Sequence, residues 1–123
     1  MALSNKRPAK GPETSSEVFD RAHLSRYTMD SADLELEILG LFLLQLPSTI
    51  EMIENAETAA DWKLATHTLK GAAASIGAKR IQAIAVELEG VTLDDDHNFR
   101  LLRIQALKAA AAEFAEIVRL ICA

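Results

Sequence analysis

The chain contains a single cysteine, Cys122, so it can form no internal disulfide and a reducing compartment is expected. Glycine and proline are scarce, at 5 and 3 residues in 123, and aromatics make up only 5%. With Ala, Leu, Ile and Glu dominant, that scarcity favours helices over strands. No apolar run reads as long enough to span a bilayer. The basic start MALSNKRPAKGPE lacks the apolar stretch that a secretory signal needs. A basic surplus is also missing, because the formal net charge is −5. Lys6, Arg7 and Lys10 crowd into the first residues, so the remaining body is more acidic still. An acidic body argues against nucleic acid and anionic membranes as partners, and the expected location is cytoplasmic. What is present is an ordinary globular balance, half apolar and a quarter charged, in a length that suits one domain.

Residues 1–16 offer almost nothing to bury and are expected to form a disordered tail, with a single domain over 17–123. A short helix or turn around 18–26 is expected to lay Val18, Phe19 and Ala22 over the end of that domain. Asp30 or Ser31 can cap a helix whose buried stripe is Leu34, Ile38, Leu41 and Phe42. Pro47 is expected to kink or interrupt it, with helix resuming through Ile50 and Ile53 to about Glu57. Asp61 reads as the next N-cap, opening a helix that ends at Ile76 before Gly77. A further helix runs from Lys79 to Glu89, closed by Gly90. Asp94, Asp95 and Asp96 offer caps to a last helix carrying Phe99, Leu102, Ala106, Phe114, Ile117 and Ile121. No strand pattern is visible. The expected fold is all-α, an antiparallel four-helix bundle with a short N-terminal covering helix.

The informative stretch is Ala65-Thr-His-Thr-Leu-Lys-Gly-Ala-Ala-Ala-Ser-Ile-Gly77. On a helical wheel, Ala65, Leu69, Ala72 and Ile76 make a core stripe, and His67 falls opposite it beside Lys70, Gly71, Ala74 and Ala78. A glycine inside a helix costs about 0.5–1 kcal/mol relative to alanine. On the exposed face one turn after His67, Gly71 removes any side chain that would obstruct approach to the imidazole. Lys70, at i+3, supplies a cation able to attract phosphoryl oxygens. An imidazole partly neutral near physiological pH offers a nucleophilic ring nitrogen. An accessible nucleophile, a cation and an open approach therefore converge on one helix face.

The run His67-Thr-Leu-Lys70-Gly71, followed by Ser75-Ile-Gly77-Ala, resembles the signature of the histidine phosphotransfer (HPt) family. The resemblance extends over most of residues 19–90, taking in Phe42, Leu46, the helix start at Asp61, and Leu88-Glu89. It implies a monomeric intermediate of a bacterial-type two-component phosphorelay. His67 would accept a phosphoryl group from an aspartyl phosphate on one receiver domain and pass it to another. The partners so implied are receiver domains of response regulators and of a hybrid histidine kinase. The resemblance also implies phosphorylation at the outer imidazole nitrogen, with the other nitrogen held by a polar side chain of the following helix. Glu89 occupies that position, where several relatives carry Gln.

Other readings are weaker. His23 and His97 read as solvated or capping residues, and Lys79 and Arg80 as docking contacts or a solvated helix start. His23, His67 and His97 lack ligand spacing and no Cys cluster joins them, so neither metal nor cofactor is expected. Asp94–Asp96 lacks the calcium-loop pattern, and no hydrolase nucleophile motif is visible. A phosphotransfer domain cut from a chemotaxis-type kinase carries a similar His-x-x-Lys-Gly. This chain has no glycine-rich nucleotide loop, so no autonomous kinase activity is expected, and its start and its end at Ala123 suit a free-standing protein. The rival from another class is a helical interaction module that binds a receiver without being phosphorylated.

Overall fold

The computed structural model describes residues 17–92 and 97–122, and among these it contains helices and no strand. A short helix α1 (Arg21–Tyr27) precedes four longer ones: α2 (Ala32–Glu54), α3 (Ala59–Ile76), α4 (Lys79–Glu89) and α5 (His97–Cys122). The expected tail at 1–16 and the caps Asp94–Asp96 lie outside the described residues. In packing order α2 contacts α3, α3 contacts α4, α4 contacts α5, and α5 returns to α2. Four helices closed in a ring form a bundle around one core.

The local signals set most boundaries. Ser31 caps α2, its Oγ accepting from the Leu34 amide at 3.3 Å. Asp30 instead sits in the preceding turn at φ 63°. Thr58, not Asp61, caps α3: its Oγ1 accepts from the Asp61 amide at 3.0 Å, which puts Asp61 inside the first turn. There its carboxylate lies near the positive end of the helix dipole. Gly77 ends α3 in the left-handed conformation at φ 85°. A Cβ there would also lie 2.6 Å from the Asp20 carbonyl oxygen. That close approach lets the Asp20 amide donate to the Gly77 carbonyl at 2.8 Å and binds the N-terminal segment to the end of α3.

Pro47 does not interrupt α2, which runs unbroken to Glu54 rather than resuming to Glu57. Proline still removes one backbone donor. The hydroxyls of Ser48 and Thr49 both donate to the Gln45 carbonyl in that turn, at 3.0 and 3.2 Å. The buried face of α2 is Leu39, Phe42, Leu46, Ile50 and Ile53, with Leu34 and Leu41 exposed and Ile38 at the margin. α2 is apolar nearly all round, so its sequence could not say which stripe faces inward. Its length and composition would also suffice to cross a membrane, contrary to the sequence expectation. Here one face of it is built into the core.

α5 buries Ile104, Leu107, Ala110, Phe114 and Val118, while Phe99 and Leu102 are exposed. Phe114 meets Phe19 and Phe42 edge-to-face, with centroids at 5.4 and 5.5 Å. Val18 and Phe19 thus cover the core end as expected, but Leu24 rather than the exposed Ala22 is the buried residue of α1. Glu35, buried in the first turn of α2, accepts from Arg21 Nε at 3.0 Å and Ser25 Oγ at 2.9 Å and so fixes α1. Arg80 pairs with Glu113 at 2.7 Å and Glu17 at 3.0 Å. It fastens α4 to α5 and the N-terminal segment, so it acts as a structural tie and not as an idle helix start.

Candidate phosphotransfer site

α3 places Trp62, Ala65, Thr66, Leu69, Ala73 and Ile76 in the core. The opposite face presents His67, whose side chain is 65% exposed. The wheel was right in phase to within one residue: Ala73 is buried where Ala72 was expected, and Ala72 is exposed. Thr66 is fully buried because its Oγ1 returns a hydrogen bond to the Trp62 carbonyl at 2.9 Å. A self-satisfied threonine can occupy a core position without an outside partner.

Around His67 the ground is open on the C-terminal side. Gly71 is exposed, and a Cβ added there would meet nothing within 4 Å. Ala74 is half-buried in line with it. Ala78 does not share this surface, being fully buried. The left-handed turn at Gly77 ends the helix, so a wheel carried through it assigns Ala78 to the wrong face. On the N-terminal side the surface is not small: exposed Lys63 and Leu64 lie at i−4 and i−3 from His67. Leu64 and Met52 of α2, both exposed, line one surface hollow.

Glu89, the last residue of α4, joins the site. Its Oε2 lies 2.9 Å from His67 Nδ1 and its Oε1 lies 2.6 Å from Lys70 Nζ. Its side chain is 21% exposed. The hydrogen bond from Lys70, and after it the one from His67, holds the Glu89 carboxyl below its ordinary range. The ionised carboxylate has no proton to donate, so Nδ1 is the donor in this contact, and Nε2 is the ring nitrogen that faces away from Glu89. Lys70 is therefore not a free surface cation but is held one turn from the ring by the same carboxylate.

The other histidines do other work. His23 Nε2 donates to the Ser75 carbonyl at 3.2 Å, tying α1 to the end of α3, and His97 Nδ1 lies 3.4 Å from Arg100 Nη2. No group of three or more His, Cys, Asp or Glu side chains able to hold a metal is present among the described residues. Trp62, the only tryptophan, is a further residue of this region that the sequence does not single out. Its buried indole Nε1 donates to the carbonyls of Leu88 at 3.0 Å and Val91 at 2.8 Å.

Comparison with known families matches residues 37–120 to the Hpt domain. The chain belongs to the Hpt domain family. Hpt domains are helical phosphotransfer modules of two-component phosphorelays, and they interact with receiver domains. They transfer phosphoryl groups without being kinases. Comparison with curated proteins and with solved structures gave no match.

Proposed function

We propose that this Hpt domain relays a phosphoryl group between receiver aspartates through His67 Nε2. The observation that supports this most is the ring's geometry. An imidazole 65% exposed has its Nδ1 engaged 2.9 Å from a carboxylate, which leaves Nε2 as the nucleophile. In the forward step the Nε2 lone pair forms the P–N bond as the bond from phosphorus to the donor aspartate oxygen breaks. That carboxylate departs with the electron pair. The ring, still carrying its Nδ1 proton, becomes cationic, and Glu89 lies within hydrogen-bond reach to stabilise it. Transfer to a second receiver is the reverse. No external base is needed in either direction.

Lys70 is the electrostatic helper. As negative phosphoryl oxygens approach, its ammonium has a second anion to serve beside Glu89. Gly71 and Ala74 leave room for the receiver to bring its aspartate to the ring. The partners are receiver domains of response regulators and of a hybrid kinase, and the module works as a monomer in the cytoplasm.

The test is to mix the purified chain with a phosphorylated receiver and follow the label. Acid-labile, base-stable phosphate on this chain is the expected result. A stable complex with the receiver that never yields phosphorylated chain would leave an interaction module and refute the relay.

A further inference from the structure

We infer that Trp62 is a positioning residue for phosphotransfer: its indole N–H pins the end of α4 so that Glu89 meets His67. This rests on the relay reading above and adds a residue to it.

The last carbonyls of any helix lack intrahelical partners and must be satisfied by other groups. At the end of α4, one indole takes one of these carbonyls, that of Leu88, together with the carbonyl of Val91 just beyond the helix. Trp62 Nε1 lies 3.0 Å from the Leu88 oxygen and 2.8 Å from the Val91 oxygen, and the side chain is buried. Leu88 and Val91 flank Glu89 in the chain, so the clamp grips the backbone on both sides of that residue. The Leu88 carbonyl also accepts the Val91 amide at 3.1 Å, closing the turn on itself. Gly90, between them, has no side chain with which to hold this turn.

Trp62 lies on α3, the helix that carries His67 five residues later. Clamp and nucleophile thus share one rigid helix, and the place of Glu89 relative to the ring is set from α3 itself. The Arg100 guanidinium of α5 lies over the indole ring, 5.8 Å from its centroid. A tryptophan needed only to fill the core could use any N–H acceptor. This one gives its donor to two backbone carbonyls on either side of Glu89, the residue whose carboxylate meets the His67 ring.

The consequence is spectroscopic as well as kinetic. Free neutral histidine favours the Nε2–H form, which blocks the nucleophilic nitrogen; Glu89 imposes the Nδ1–H form. Loosening the turn at Glu89 releases that constraint. The experiment compares the full-length wild type with Trp62→Phe, and with a chain in which Trp62 is replaced by benzothienylalanine. The last keeps the shape of the indole and removes only its donor. Ring nitrogen correlation spectra of ¹⁵N-labelled protein, at a pH where His67 is neutral, read the tautomer. Label transfer from a phosphorylated receiver reads the rate, and circular dichroism reads the fold.

Both replacements should keep the helical signal, shift His67 towards the Nε2–H form and slow transfer about tenfold, within the range for misplaced reacting groups. In a Glu89→Ala background neither should change the tautomer further, because the two residues act through one contact. If the benzothienylalanine protein keeps both the wild-type tautomer and the wild-type rate, Trp62 is only a core residue and the inference is wrong. If the wild type itself accepts no label, the relay reading fails, while the tautomer comparison still decides whether Trp62 positions Glu89.

Discussion

Gly71 gives the clearest separation of stability from function. It lies in the interior of α3 on the exposed face, and a Cβ added there meets nothing within 4 Å. Its backbone is not in the left-handed region, so substitution imposes no strain. Gly71→Ala should therefore stabilise the fold by about 0.5–1 kcal/mol through helix propensity and a smaller loss of backbone entropy. For a domain of this size that is a rise of roughly 2–6 °C in Tm. Gly71→Gln should stabilise nearly as much, since glutamine is also a good helix former. It also projects a long side chain one turn beyond His67, where the receiver must approach, and should slow transfer by at least about tenfold. Gly40→Ala is the matched control: a helical glycine on α2 with equally open surroundings, expected to stabilise without altering transfer. Thermal melts by circular dichroism and label transfer from a phosphorylated receiver measure the two effects. A folded Gly71→Gln protein that transfers at the wild-type rate would refute the access argument. A lower Tm for Gly71→Ala would refute the placement of Gly71 on an open face.

Two further outcomes concern the charges around the ring. Lys70→Ala should remain phosphorylatable but slower, because one cation in a partly solvated site supplies part of a barrier and not all of it; Lys70→Arg should recover some of the rate in the same time course, a planar fork being an imperfect substitute for a compact ammonium. The Glu89 carboxyl is held below its usual range, first by Lys70 and then by His67, so its contribution to stability is complete above about pH 4.5, the ordinary value, and is lost as pH falls through the lowered one. The difference in Tm between wild type and Glu89→Gln should accordingly shrink from neutral pH towards pH 3, and a difference that grows on acidification would reverse the sign of the argument.

The exposed place of His67, the nearness of Lys70, the open surroundings of Gly71 and the end of α3 at Gly77 were legible because each depends on local chemistry: helix phase, an i+3 spacing and a left-handed cap. Glu89 was legible only through resemblance, since nothing in its own helix brings it to His67. It arrives there through the packing of α4 on α3. Trp62 was missed for the same reason, as its acceptors lie 26 and 29 residues away. The inward faces of α2 and α5 were misassigned where apolar residues outnumber the places in the core. Leu34, Leu41, Phe99 and Leu102 are as hydrophobic as the residues that are buried, and only tertiary packing chooses between them. Ala78 shows the limit of a wheel, which holds only as long as the helix does.

The most direct test of the central claim is label transfer from a phosphorylated receiver to His67→Gln beside the wild type. Because the side chain of His67 is largely exposed and off the core, the variant should give the same helical spectrum as the parent and still melt cooperatively. The wild type should take up acid-labile label and the folded variant none at all. Label on folded His67→Gln, at His23, His97 or elsewhere, would contradict the assignment of His67 as the phosphoryl carrier.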